Sequence, residues 1–254
     1  MNNGYHNTQA EEKIQMKLSD RLEKVVSFVD PTEKAADIGT DHGYVPVELV
    51  RRGIVSGAYA MDVKKGPLSR AEQHIKMAGL ENKIELRLSD GLAGLKPGEA
   101  EAVIIAGMGG ELILHILEQG KELWDSVEQW ILSPHSEIHK VRRWLYENGF
   151  PIEKEAMIRE EDKFYAVFRA GKRGTGTLED DGMQEEQWDF RYSRLLMDAK
   201  DPIFKEFLKD EEKKLVLLTE KLREQAASSE RAGESLKRAE ERLMKNREVQ
   251  NEVQ

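Results

Sequence analysis

Ala35-Ala36-Asp37-Ile38-Gly39-Thr40-Asp41-His42-Gly43-Tyr44 joins a short apolar run to an acid, two glycines and a segment whose apolar residues recur at helical spacing. This reads as strand, tight turn and helix, with a ligand at the carboxyl end of a first parallel strand. A pyrophosphate would call for G-x-G-x-x-G, so that bare amides and a helix N-terminus could meet it. Here Asp41 stands where the middle glycine would be. Two carboxylates, Asp37 and Asp41, would repel a phosphate at short range and attract a cation. S-adenosylmethionine, with its sulfonium and α-ammonium, suits such a turn. The plain alternative is a strand-to-helix turn in which Thr40 and Asp41 cap the following helix.

Three consecutive strand patterns end in an acid: Asp37, Asp62 after Gly57-Ala58-Tyr59-Ala60-Met61, and Asp90 after Ile84-Glu85-Leu86-Arg87-Leu88-Ser89. In a nucleoside-binding crevice the second acid, beside Val63, accepts from both ribose hydroxyls. Asp90, before Gly91, takes an adenine amine, and Asp37 lies near an ammonium. The competing reading makes these aspartates turn formers only. The fourth run, Ala102-Val103-Ile104-Ile105-Ala106-Gly107, leads into Met108-Gly109-Gly110 without a polar side chain. Backbone must do the work there, with glycines allowing close approach and Met108 offering a soft apolar wall. His42 reads as a turn residue touching the cofactor. His6, His74, His115 and His139 read as surface or packing residues, and no acid and histidine set has metal-ligand spacing.

The elements that must position these residues alternate. Leu18 to Val29 repeats apolar residues at three and four and stops at Asp30-Pro31, a leading helix whose Arg21 either reaches a carboxylate or sits exposed. Gly66 to Leu80 reads as a helix with Gly79 near its end. Trp130-Ile131-Leu132-Ser133-Pro134 is a fifth strand, and Ile152–Arg159 with Phe164–Ala170 form a closing hairpin, so the last strand runs antiparallel. Strands alternating with helices imply a parallel doubly wound sheet. From Gly171 the composition turns to glycine, threonine and acids, giving a linker at 171–182 between a first domain, 1–170, and a helical domain, 183–254. In the latter Trp188, Tyr192, Leu195, Leu196 and Ala199 share a helical face, and Asp201-Pro202 opens a helix. Phe204, Leu208, Leu215, Leu218 and Leu222 form a stripe near the 3.5-residue period, and Leu236, Ala239 and Leu243 a weaker one. Ser228 to Ser235 interrupts them, which predicts an antiparallel coiled coil frayed beyond Arg247.

With 254 residues and no cysteine, the chain can bury a large core but can hold neither a disulfide nor a thiolate nucleophile. The polar stretch Met1 to Glu12 lacks a signal-peptide core, and no apolar run approaches the ~20 residues of a membrane span. The expected location is the cytoplasm. A formal net charge of -9 argues against a generally basic nucleic-acid binder and leaves a local patch open.

Asp-Ile-Gly-Thr-Asp-His-Gly-Tyr-Val-Pro, Lys65-Gly66-Pro67, Ser89-Asp90-Gly91-Leu92, Ile104 to Gly110, Arg142-Arg143-Trp144-Leu145 and Glu161-Asp162-Lys163-Phe164-Tyr165 together resemble the TrmK family, the bacterial tRNA (adenine-22-N1)-methyltransferases. The likeness runs from about Leu18 to Ala170, and it extends to the tail because family members end in a helical coiled coil. It implies a class I methyltransferase, Rossmann-like doubly wound sheet with an antiparallel last strand. It implies S-adenosylmethionine as methyl donor, held by Asp37, Gly39, Thr40, Asp41, His42, Asp62, Val63, Asp90, Gly91, Ala106, Gly107 and Met108. The acceptor it implies is N1 of an adenine in the D-arm region of tRNA, with neither a membrane nor a metal involved. N1 already carries a lone pair, so catalysis is chiefly positioning. Asp41 is expected to stabilise the charge that develops on the adenine, and Tyr44 to stack on or orient the base. Lys64, Lys65, Arg70, Arg142 and Arg143, with His135, are candidate tRNA contacts; the alternative is exposed helix charge. Where several family members carry Gln-Pro-Asn after the fifth strand, this chain has Ser133-Pro134-His135. A small-molecule or protein methyltransferase of the same fold, or a non-catalytic tRNA-binding protein, are the competing readings.

Overall fold

The computed structural model describes residues 18–174, 190–226 and 229–254. Met1 to Glu12, His6, Trp188 and the expected boundary at 182/183 lie outside the described residues.

Seven strands, β1 Thr32–Ile38, β2 Val55–Asp62, β3 Ile84–Leu88, β4 Ala102–Met108, β5 Gln129–Pro134, β6 Ile152–Glu160 and β7 Lys163–Gly171, form one sheet of order β3-β2-β1-β4-β5-β7-β6. The first five are parallel, and β7 runs antiparallel to both β5 and β6. The chain winds outward from β1 to β3 and returns to lay β4 on the other side of β1. The β1/β4 boundary is therefore the point where strand order reverses, and a crevice opens past the strand ends there.

Between the strands run α2 Tyr44–Arg51, α3 Lys65–Met77, α4 Gly110–Gln119 and α5 Ile138–Glu147, while α1 Asp20–Ser27 leads the chain. β4 is apolar along its length because helices cover both faces: Val103 and Ile105 belong to one buried cluster and Ala102 and Ile104 to the other. The first cluster is anchored by Trp124, Trp130, Trp144 and Phe150, with the Trp124 indole N–H donating to the Leu117 carbonyl at 2.9 Å.

The C-terminal part contributes α6 Arg194–Asp198, α7 Pro202–Ala226 and α8 Glu230–Glu252. Asp201 caps α7 through its Oδ1, which accepts from Phe204 N at 2.7 Å. Helices α7 and α8 run antiparallel, with Arg223 bonded to Glu240 and Arg242 to Glu211. Asn246, fully buried between them, donates from Nδ2 to the Leu208 carbonyl at 3.1 Å and to Glu211 at 2.9 Å. A third cluster joins Phe204, Leu208, Val249 and Val253 to Met157 of β6.

Five details depart from the sequence reading. Gly171 is the last residue of β7, and Gly174 N bonds to the Gly149 carbonyl, so 171–174 is docked rather than linker. Helix α6 is only one turn: Tyr192 is buried ahead of it, Ser193 is its cap and Leu195 is exposed. Ser229 acts as an N-cap, not a breaker, so α8 includes Glu230 to Ser235. The buried face of α7 passes through Thr219 instead of Leu218, which is 42% exposed. Nor is the end frayed beyond Arg247, because Val249 and Val253 are buried in the third cluster.

Candidate active site

Gly39 N and Thr40 N both donate to the Met61 carbonyl at 2.8 Å, so the turn leaving β1 is strapped to the end of β2. Gly39 has φ +76, and a Cβ there would collide with the methyl of Met108, whose side chain leans across from the end of β4. The positive φ is what calls for glycine, and the flexible Met108 side chain fills the space that the missing Cβ leaves. Beneath it the Asp37 carboxyl is buried, and desolvation, with the charge of Asp62 adding to it, raises its pKa from 3.8 to about 6. Thr40 Oγ1 is buried beside that carboxyl without a well-formed hydrogen bond to any acceptor. A buried acid, with the Thr40 hydroxyl beside it partly offsetting the effect of burial, in a glycine-floored crevice fits a cationic ligand that also offers hydrogen bonds.

At the end of β2, Asp62 accepts from Lys64 N through Oδ1 at 2.7 Å. Val63 and Leu88, at the ends of β2 and β3, are 58% and 57% exposed, an apolar platform of the kind a flat base covers. Asp90 is exposed two residues past β3, in a loop that Ser89 holds by accepting from Gly94 N at 2.8 Å. Ala106 and Met108 are partly buried, and Gly107 between them has φ +84.

The helices that start at this edge are left open. α2, α3, α4 and α5 have Gly43, Lys64, Gly109 and Glu137 as N-caps, none with a side-chain hydrogen bond. Ser19, Ser193 and Ser229 do cap α1, α6 and α8. Four uncapped N-termini converge on one edge of the sheet, each offering free amide donors. In particular Thr40 and Asp41 do not cap α2.

Asp41 is a rim residue whose Oδ1 accepts from Arg70 Nη2 at 2.8 Å, with its side chain 63% exposed. The pair of close carboxylates in the crevice is thus Asp37 and Asp62, and Arg70, expected to meet substrate, is engaged by Asp41. His42 adopts φ +61, a conformation rarely taken by L residues. His74 of α3 holds it there, its Nδ1 bonded to the His42 carbonyl at 2.7 Å. His42, Tyr44 and His74 form a near-parallel group with ring centroids 5.2–5.4 Å apart. Of the two roles read for it, surface or packing, His74 takes the second: it supports the turn.

Lys64 and Lys65 are exposed at the start of α3. Arg142 is not a rim residue. Its side chain and that of Glu155 are both 2% exposed and meet at 2.6 Å, and its Nη1 donates to the Phe190 and Arg191 carbonyls. An α5 residue facing the hairpin is enclosed by it, so Arg142 ties α5 to β6 and to the C-terminal part. Arg143, one position on, is exposed with its guanidinium 5.3 Å from the Phe190 ring centre. His135 lies past β5, its N donating to the Met108 carbonyl at 2.8 Å, and burial lowers its pKa so that it is neutral at pH 7. Among the described residues no group of three or more His, Asp or Glu could hold a metal ion, and no helix is long and apolar enough to cross a membrane.

A doubly wound sheet of this order, with an antiparallel last strand and acids at the ends of β1 and β2 below a glycine turn, defines a class I methyltransferase. The family profile described as a methyltransferase domain matches residues 18–168. The tRNA (adenine(22)-N(1))-methyltransferase of Bacillus subtilis strain 168 is 40% identical over 156 residues, 61% of this chain and 66% of that protein. The chain thus aligns with just under two thirds of that relative. The crystal structure of the B. subtilis m1A22 tRNA methyltransferase TrmK matches with TM-score 0.82 and 33% identity, over 93% of this chain and 100% of the other. M. capricolum TrmK in complex with S-adenosyl-homocysteine matches with TM-score 0.78 and 25% identity, over 93% and 99%. The chain belongs to the TrmK family.

Proposed function

We infer that this protein transfers a methyl group from S-adenosylmethionine to N1 of an adenine, position 22, in tRNA, and so works where tRNA is found, in the cytoplasm. The observation that carries the reading is the buried Asp37 beside Asp62 under an open glycine turn, in a chain of this family. When bound, the cofactor supplies an activated methyl group. The chain's own part is to hold and to exclude. Asp37, ionised against its burial, answers an α-ammonium, and the free oxygen of Asp62 accepts from ribose hydroxyls. Val63 and Leu88 cover the faces of an adenine, while Asp90 and Gly91 border its amine. Gly39, Thr40, His42 and the backbone of Ala106, Gly107 and Met108 shape the space in which sulfur and acceptor meet.

Adenine N1 needs no base to become a nucleophile, so orientation dominates the rate. Asp41, released from Arg70, stabilises positive charge spreading toward the exocyclic amine, and Tyr44 orients the ring. Lys64, Lys65 and Arg143 are left for backbone phosphates; lysines at an uncapped helix start oppose the helix dipole, which favours an anion there. The first domain, which ends with β7 and the docked stretch 171–174, carries this chemistry, and the helical domain that holds α6, α7 and α8 serves the tRNA or self-association.

Mass mapping of modified nucleosides in tRNA from cells with and without the protein tests the reading: loss of 1-methyladenosine at one position is expected, and an unchanged map overturns it. Replacing Asp41 by alanine should lower turnover at saturating cofactor by at least tenfold, with S-adenosylhomocysteine affinity changed less than threefold, the scale of losing one electrostatic stabiliser. The reverse pattern would remove Asp41 from the catalytic role.

A further inference from the structure

We propose that Arg21, Tyr165 and His135 form an anion site beside the acceptor half of the cleft, which takes a tRNA backbone phosphate close to the methylated base; this rests on the tRNA methylation proposed above.

The sheet order separates two halves of the crevice. The acids read as donor ligands stand on β1, β2 and the loop past β3. On the other side of β1 lie β4, β5 and β7, and across their upper edge runs a continuous row. A Cβ on Gly107 would lie 4.0 Å from the His135 ring. The His135 ring meets Tyr165 edge to face at 5.2 Å, and the Arg21 guanidinium lies 5.6 Å from the centre of the Tyr165 ring. The row therefore runs from the strand-end glycine to the first turn of α1.

Arg21 is the informative member. It is half-buried, and its Nη1 is fully buried with no acceptor in the described chain. Glu160 is near enough to neutralise it, yet its Oε1 is bonded to the backbone N of Arg21 at 2.7 Å and makes no ion pair with the guanidinium. An unanswered donor of a permanently charged group is costly, and an anion reached by a small side-chain shift relieves it. The charges facing the spot are Arg21 and the exposed Lys163 against Glu160, with His135 neutral. That balance favours an anion. The Tyr165 ring beside the guanidinium, at 5.6 Å, lowers the polarity of its surroundings, which strengthens a charged hydrogen bond. A phosphate one nucleotide from the acceptor base has the reach for this place, and gripping it would fix the base without touching it.

The test uses the full chain and unmodified tRNA. Affinity is measured across a salt series, with initial rates for KM and kcat and calorimetry for S-adenosylhomocysteine. Arg21→Ala should weaken tRNA binding and raise KM about tenfold, the scale of one charged hydrogen bond. It should also lower the slope of log affinity against log salt by about one, with S-adenosylhomocysteine binding unchanged. Arg21→Lys should restore the slope and part of the affinity. If Arg21→Ala leaves affinity and slope as in the wild type, the site is overturned. If affinity falls and the slope does not, the acceptor is not a phosphate and the proposal is equally overturned. Should the alanine variant unfold, Arg21→Gln, which keeps the packing and removes the charge, is judged by the same readings. Wild-type protein that methylates tRNA while Arg21 proves indifferent refutes this site alone. Wild-type protein that neither binds nor methylates tRNA refutes the function and the site together.

Discussion

Asp37 is the group whose removal should act on stability and on binding in opposite directions. Its carboxyl is raised from 3.8 to about 6 by burial first and by Asp62 second. A raised acid favours the folded state only while protonated. Its contribution is greatest below the unfolded value and is lost as pH rises through the folded one. At 1.36 kcal/mol per pH unit, the ionised form in the free protein is disfavoured by on the order of 3 kcal/mol, all of it present above pH 6. Asp37→Asn should therefore be more stable than wild type by up to about 3 kcal/mol at pH 7.5, the gain vanishing near pH 4. Urea unfolding at pH 4.5, 6 and 7.5 checks this. Binding a cationic ligand reverses the sign, since an ammonium against the carboxylate pulls its pKa down and a proton is released. Wild-type affinity for S-adenosylhomocysteine should fall with pH below 6, approaching tenfold per unit, while the Asn variant binds weakly with little pH dependence. An Asn variant less stable than wild type at pH 7.5, or a wild-type affinity flat from pH 7 to 5, would refute the reasoning.

Arg142→Ala leaves Glu155 as an unpaired buried charge, and urea unfolding should show a loss on the order of 3–5 kcal/mol. A stable variant with impaired tRNA binding would instead return Arg142 to the substrate. His74→Ala removes the bond that holds the His42 carbonyl; kcat/KM should drop about fivefold, the worth of one hydrogen bond, with partial recovery in His74→Asn. Initial rates equal to wild type would mean that the turn is held without this bond, by the close approach of Gly43 to Ala71 of α3, where a Cβ on the glycine would lie 3.2 Å from that of the alanine.

Strand positions were legible because each apolar run ends at a turn signal, and in a parallel sheet the chain must return by a helix. The cofactor side was legible for the same reason: Asp37, Asp62 and Asp90 are read off the ends of those runs. Partners brought from elsewhere in the chain were not. Nothing local says that Arg70 faces Asp41 29 residues away, or that Arg142 faces inward to Glu155. Both are arginines on helices with charged neighbours, and only the packing of α3 and α5 decides which side each shows. The tail misled in a similar way. Ser229 and Gly233 look like breaks, yet a serine just before a helix serves its first turn, and one glycine costs only about 1 kcal/mol in a long packed helix. Val249 and Val253 gave no stripe of their own because the cluster that buries them is assembled from Phe204 and Leu208 of α7, Tyr192, Leu196 and Met157 of β6, residues far apart in the chain.

Asn246 sets a rule for how the C-terminal hairpin can change over evolutionary time. Its amide finds the Leu208 carbonyl only in one alignment of the two helices, and sliding either by a turn would strand it in an apolar seam. Residues gained or lost between that point and the hairpin's far tip must come in matched numbers on both arms. Versions of this protein with longer or shorter arms should therefore differ at the tip, leaving the base that grips β6 untouched.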